Sequence, residues 1–210
     1  MTILTFPAFN PTTAEFSQQS NTQAFTSPLS GTTQTLEMPG AKWSLQASFN
    51  NLSQTDVRLW KSFLTRLRGS AGRFYYGDPD YLISGPLGVN TGTPVVKGAS
   101  QVGGSIILEG FTPTVTGILK AGDYIQFDNA VFGRELHIVV EDADSDGSGD
   151  STVTIEPPIR NSPADQAPVT VTGAMCQMRL VDSGQSRWNF SNTMFGNIQI
   201  QAIEVFTDGA

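Results

Sequence analysis

Only one stretch of this sequence keeps a helical period, and everything around it alternates or turns. Val57, Trp60, Phe63, Leu64 and Leu67 form a single apolar stripe, the i, i+3, i+4, i+7 pattern of a helix with one buried face. Ser53 precedes it as a capping residue and Asp56 follows three positions later as a shortened capping box. Gly69 is placed to end it. Elsewhere the period is two. In residues 42–50, Trp43, Leu45, Ala47 and Phe49 alternate with Lys42, Ser44, Gln46 and Ser48, which gives a strand one buried face. Residues 14–26, polar with Phe16 and Phe25, read as an edge hairpin or a loop. A strand at Phe74-Tyr75-Tyr76 leads into a turn at Gly77-Asp78-Pro79-Asp80.

Short strand patterns then recur at 105–108, 124–127, 136–141, 152–155, 169–172 and 176–181, separated by turn residues with no helical stripe between them. Such a series predicts a small β-barrel or sandwich. Residues 82–181 hold eleven acids and five bases, so this stretch carries −6 of the chain's net charge of −7. From residue 187 the Trp/Phe-rich style of the N-terminal part returns. There Ile198, Ile200 and Ala202 alternate, and Ile203 and Val205 fall one position out of phase, as a β-bulge allows. The expected organisation is therefore mainly β. Residues 1–81 with 182–210 form an outer β-sandwich domain with one helix, and residues 82–181 form an inserted acidic barrel-like module.

Composition narrows the function. A net charge of −7 disfavours a free-standing nucleic-acid binder, which needs a basic footprint. No apolar run reaches the ~18 residues of a membrane helix, and the first residues lack a basic and apolar leader pattern. The sequence has one cysteine, Cys176, and one histidine, His137, too few for an internal disulfide or a Cys/His zinc site. His137 lies in a strand pattern and reads as a structural residue on its outer face; Cys176 reads as a small packed side chain. There is no Gly-x-Ser-x-Gly elbow, and Gly85-Pro86-Leu87-Gly88 lacks the lysine and helix of a phosphate loop. No catalytic residue and no cofactor are expected.

Two constellations remain. Asp142, Asp144 and Asp146, followed by Gly147, match the first half of a calcium-binding EF-hand loop, but Val153 stands where the bidentate glutamate belongs. The reading is a solvated acidic hairpin tip, with weak calcium binding as its alternative. Arg58, Lys61, Arg66, Arg68 and Arg73 make residues 54–73 the most basic stretch, five bases against one acid. They are either the wet face of the helix or a contact face for an acidic partner, including a second copy of this chain.

Several motifs in order extend this reading. They are Trp43-Ser-Leu-Gln, the run from Asp56 through Trp60 and Phe63 to Arg68-Gly69, Gly72-Arg-Phe74, Gly77-Asp-Pro-Asp80, Gly98-Ala-Ser-Gln-Val-Gly-Gly-Ser-Ile, Leu119-Lys-Ala-Gly122-Asp123-Tyr-Ile, Asp144-Ser-Asp-Gly147 and Ile155-Glu-Pro-Pro158-Ile-Arg160. Over roughly residues 40–181 this order resembles distal tail proteins of long-tailed, siphovirus-like bacteriophages and prophages. The resemblance implies a ring-forming β-sandwich with a helix and a projecting extra domain. It also implies a homo-oligomeric ring, usually a hexamer, in the virion tail tip between the tail tube and the tip or receptor-binding proteins, assembled in the bacterial host cytoplasm. DNA would only pass through the channel. Alternatives are another tail tube or tube-completion protein and, in a different class, a carbohydrate-binding or hydrolytic β-protein.

Overall fold

The computed structural model describes residues 3–129, 133–185, 189–190 and 196–206. The elements run β1 (Ile3–Leu4), β2 (Thr13–Gln19), β3 (Thr22–Thr26), β4 (Thr33–Glu37), β5 (Lys42–Leu52) and α1 (Gln54–Leu67). A 3-10 turn (Gly69–Ala71) leads to β6 (Arg73–Tyr76) and α2 (Pro79–Ser84). There follow β7 (Gly92–Val96), β8 (Gly103–Phe111), β9 (Tyr124–Asn129), β10 (Gly133–Val139), β11 (Ser151–Ile159) and β12 (Val169–Thr170). The chain ends through β13 (Cys176–Leu180), a second 3-10 turn (Ser183–Gln185), β14 (Asn189–Phe190) and β15 (Gly196–Glu204).

The protein is mainly β, with one main helix, as its periodicities require. One sheet runs β1-β6-β13-β15-β5-β2, with β14 on β15. The second, β12-β9-β10-β11-β8-β7, is nearly closed. The Val96 amide donates to the Ala167 carbonyl, and Val95 bridges to Pro168, which brings its two edges together. Each sheet has its own apolar core. In the larger unit the layer facing the sheet is α1 with the N-terminal segment. Trp60 lies 4.5 Å from the Phe49 ring and meets Phe6 edge-on at 5.2 Å, a geometry aromatic quadrupoles favour.

Helix α1 follows its sequence. All five stripe residues are buried, and the Ser53–Asp56 capping box is closed in both directions. Its C-cap is Arg68, in the left-handed region with φ of 51°. Gly69 follows with φ of 69°, where an added Cβ would stand 2.9 Å from the Ser183 backbone. Glycine is thus required there for both conformation and space.

Several elements differ from expectation. The 176–181 strand lies beyond the composition break yet belongs to the larger sheet, where Cys176 pairs with Tyr76 and Leu180 with Ala202. Among the described residues the strands of the barrel all lie within 92–170; charge composition follows surface, and this strand is interior. The turn at 77–80 is the start of α2, with Pro79 in the first turn and Asp78 capping the Asp80 amide; six residues are too few to show a stripe. Strand β7 escaped notice because Pro94 interrupts it, at a register shift against β8. The polar 14–26 stretch divides between the edge strand β2 and the first arm of a separate β3–β4 ribbon.

The phase break at the C-terminal end has another cause than a bulge there. β15 alternates without interruption from Ile198 to Glu204, with Ala202 opposite Leu45 and Ile203 opposite Ser44. The irregularity in its pairing with β5 lies earlier, between Gly196 and Ile198. What breaks the apolar pattern is a carboxylate, Glu204, at an inward position with no exposure.

This topology generates a test of modularity. Joining Gly85 to Gly173 through a short Gly/Ser linker removes the barrel but keeps β13, and should leave a soluble protein with a cooperative though lowered melt. Joining Tyr81 to Asp182 removes β13 from between β6 and β15, and should abolish that melt in circular dichroism.

Candidate functional site: helix face, acidic loop and barrel–sheet junction

Residues Arg58 and Arg66 are exposed on α1, and Lys61, four positions after Val57, is half-buried beside its apolar stripe. Arg68 is exposed at the helix cap. Arg73 has a different task. Its Nη1 donates to the carbonyls of Ser70, Ala71 and Gly72 at 3.0, 3.0 and 3.1 Å, so the guanidinium holds the turn that follows α1. Burial and the nearby Arg179 lower its pKa from the ordinary value. Four of the five cations therefore lie on α1 and its cap, and the fifth shapes the turn that follows.

The acidic loop joins β10 to β11 with Asp142, Asp144 and Asp146 exposed, as a solvated tip has them, and its backbone is docked as well. Ala143 and Ser145 are buried, and the three aspartates between and beside them accept amide hydrogens from different segments. Asp142 Oδ1 accepts from Ala121 at 2.9 Å and Asp144 Oδ1 from Gly117 at 2.6 Å. Asp146 Oδ1 accepts from Ser148 at 2.7 Å and Asp150 at 2.9 Å, and these bonds lower its pKa. Ser145 Oγ donates to the Thr112 carbonyl at 2.6 Å and accepts from the Val115 amide at 2.9 Å. The alternation suits a loop laid along another loop, each carboxylate closing an amide that would otherwise lack a partner. No group of three or more acidic, His or Cys side chains with metal-binding geometry occurs among the described residues.

A third constellation, absent from the sequence reading as a group, sits where the barrel meets the larger sheet. Trp43 on β5 donates its indole N–H to the Leu136 carbonyl of β10 at 2.8 Å. Tyr81 of α2 donates to Val171 O at 2.8 Å, and Tyr124 of β9 to Asp78 Oδ2 at 2.9 Å. Arg160, just beyond β11, donates through Nη2 to the Ala41 carbonyl and to Glu204 Oε2, the latter at 3.3 Å. Glu204 Oε2 also accepts from the Trp43 amide at 3.1 Å. Phe206 lies under the guanidinium, 3.7 Å from Cζ to the ring centroid.

On the barrel side of this cluster stand Glu135 and His137 of β10, both fully buried. His137 was expected on an outer strand face. It points inward and stacks on Phe127 with centroids 4.9 Å apart, while its neighbours Leu136 and Ile138 pack against the larger sheet. Both faces of β10 are covered, so alternation did not identify a wet side. Cys176 is buried as expected, and burial, reinforced by Glu204, pushes its thiol well above the ordinary value. A signal for Glu204 did exist: a lone acid on the buried phase of an apolar strand.

Trp43 and Trp60 are both buried, so neither offers a face for sugar stacking; Trp188 lies outside the described residues. No helix among the described residues is long and apolar enough to cross a membrane.

Two outcomes follow from this geometry. Asp144→Ala should cost about 1 kcal/mol, the worth of one hydrogen bond, and chemical denaturation should give the same loss with and without calcium. Burial, opposed by Arg160 and the Trp43 amide and reinforced by Glu135, pushes the Glu204 carboxyl from 4.5 up to about 7. A raised carboxylate binds more protons folded than unfolded, so its contribution is present below 4.5 and lost as pH rises through 7. Glu204→Gln should flatten the stability profile across that window by up to about 3 kcal/mol, measured by urea unfolding at successive pH values.

No protein-family model matches the chain, and a search of curated proteins gives no match.

Proposed function

We propose that this chain is a structural component of a bacteriophage tail, a distal tail protein whose copies form a ring joining the tail tube to the tip or receptor-binding apparatus. It works in the virion by assembly and has no catalytic step. The observation that carries the reading is the separation of charge on one chain. The exposed cations of α1 lie on the larger unit, while the barrel stretch holds most of the negative charge of a protein of net charge −7. Unlike faces on one subunit suit head-to-tail contacts, which close into rings when the rotation allows. The hexameric number comes from the resemblance in sequence order.

The β3–β4 ribbon supports the same reading. Every residue of both strands is exposed, and Phe25, Leu29 and Leu36 are 68%, 98% and 62% accessible. A lone two-stranded ribbon is marginal in water, and an assembly would cover it. An acidic surface lining a channel would also let DNA pass without the phosphate binding that a basic one provokes.

Reversing Arg58 and Arg66 to Glu together should weaken assembly and leave the monomer folded, since neither touches the apolar stripe. Native mass spectrometry should show rings for the wild type and smaller species for the double variant. A wild-type protein that remains monomeric at high concentration and within particles sinks the ring. Rings that survive the double reversal remove only this contact face, and labelling its position in particles separates a tip protein from a tube protein.

A further inference from the structure

Two apolar surfaces of the larger unit are open to solvent. The first is one face of the β3–β4 ribbon. Alternation along its paired strands puts Phe25 and Leu36 on one side with Gln23 and Gln34, and the four threonines and Glu37 on the other. Thr26 and Thr33 share a hydrogen bond between their hydroxyls at 3.0 Å, so the polar side is tied within the ribbon. Phe25 and Leu36 stay more than half exposed, and Leu29 in the turn is almost wholly so. The second surface is a groove of about 540 Å³ walled by residues 3–11, by β6 and by α2. Leu4, Pro7, Tyr76, Pro79 and Leu82 line it, and Ile83, also in its wall, is 61% exposed.

Charge and position both suit the pair. The groove's single charged lining residue is Arg134 of β10, which lies 3.8 Å from the Tyr75 ring centroid and pairs through Nε with Asp128 at 3.3 Å. The ribbon's single charge, Glu37, has the opposite sign, so no like charges meet when the two surfaces come together. They stand at opposite edges of one sheet. The ribbon prolongs the β2–β5 hairpin, where the Met38 amide donates to the Asn21 carbonyl at 2.8 Å, and β2 is one edge. The groove lies against β1 and β6 at the other. Five strand spacings separate these edges, which puts them about 24 Å apart. They also stand at one level. Ser17, Ser44, Ile203 and Arg179 form one row across the sheet, and the next row runs Glu204, Met178, Phe74 and Leu4.

We propose that the β3–β4 ribbon of each copy docks by its Phe25–Leu36 face into the groove between Leu4 and Leu82 of the next copy. This rests on the ring reading above and names the contact that passes it from subunit to subunit. Both halves of the contact occur on every chain, so each added copy offers a ribbon and a groove to its neighbours. A contact between unlike patches at opposite edges repeats head to tail, whereas a self-complementary patch stops at a dimer. Docking takes Phe25, Leu29 and Leu36 out of water and gives the ribbon the packed layer that an isolated hairpin lacks.

Gln34→Cys on the ribbon's apolar face and Ala8→Cys in the groove wall leave Phe25, Leu36 and the groove's large side chains in place, and the native Cys176 is buried. Differently tagged copies of the two single variants, co-expressed and treated with a short bismaleimide, should yield a covalent dimer holding one chain of each. Neither variant alone should yield one. Dimers from the ribbon variant alone reveal a two-fold contact and overturn the proposal. A chain carrying both cysteines that links only to itself also overturns it, as do ribbon crosslinks formed solely to a different protein in particles. Phe25→Asp and Leu36→Asp should each weaken assembly by about tenfold or more in native mass spectrometry. The melting temperature of the monomer should not change, because neither side chain belongs to a core. Rings that assemble normally with both substitutions, and without the mixed crosslink, remove the ribbon contact and leave the ring standing. A wild type that forms no ring removes the ring reading and this contact together.

Discussion

The inward face of β5 carries two loads at once. At one end Phe49 lies beneath Trp60 and fixes the helix; at the other Trp43 reaches the barrel and donates to Leu136. Eleven residues of strand are long enough for both contacts, and β15 and β2 pair along either side to hold the strand straight between them. An extended strand rises about 3.3 Å per residue, so the same backbone sets the distance between α1 and the barrel. Shifting its register by one residue would turn Trp43, Leu45, Ala47 and Phe49 outward together and undo both contacts. Helix, sheet and barrel thus depend on one alternating segment.

The junction built at the Trp43 end is unusual in being polar. Apolar burial is non-directional, so two greasy surfaces tolerate sliding. The donors and acceptors here do not: the Trp43 indole, Tyr81, Tyr124 and Arg160 each meet a particular oxygen across the boundary. The desolvation of Glu135, Glu204 and Arg160 works against stability, and what the arrangement supplies in return is a single orientation. For a protein that we propose to work by repeating in a ring, a fixed angle between barrel and sheet is copied into every subunit.

How much of this was legible varied with how local the cause was. Helix α1 was readable to the residue because its stripe, its Ser53 cap and its stop lie within seventeen positions of one another. The strands of the barrel were readable as strands, since turns punctuate them. Membership of a sheet was not: β13 pairs with residues a hundred positions earlier, and nothing within it says so. His137 was misplaced because β10 is covered on both faces, so either neighbour pattern fits. Glu204 was hidden by an assumption that acids avoid the core, which made its position look like a bulge. In the acidic loop, alternating aspartates satisfy a solvated-tip, a cation-site and a loop-docking pattern alike, and the amides of Gly117 and Ala121 that Asp144 and Asp142 meet lie more than twenty residues away.

The distribution of charge follows from these same constraints. The interior of the junction holds Arg160, Glu135 and Glu204 away from the surface, so none of them is free to meet a partner. The acids left on the barrel surface face water, as do Arg58 and Arg66 on the helix. Since β5 sets the separation of helix and barrel, it also sets the separation of the positive and negative surfaces. Screening limits exposed charges to contacts within about 8 Å at physiological salt. In the ring we propose, the two surfaces would therefore act on neighbouring copies more readily than on each other, which would give a charge-divided monomer a direction in which to add the next one.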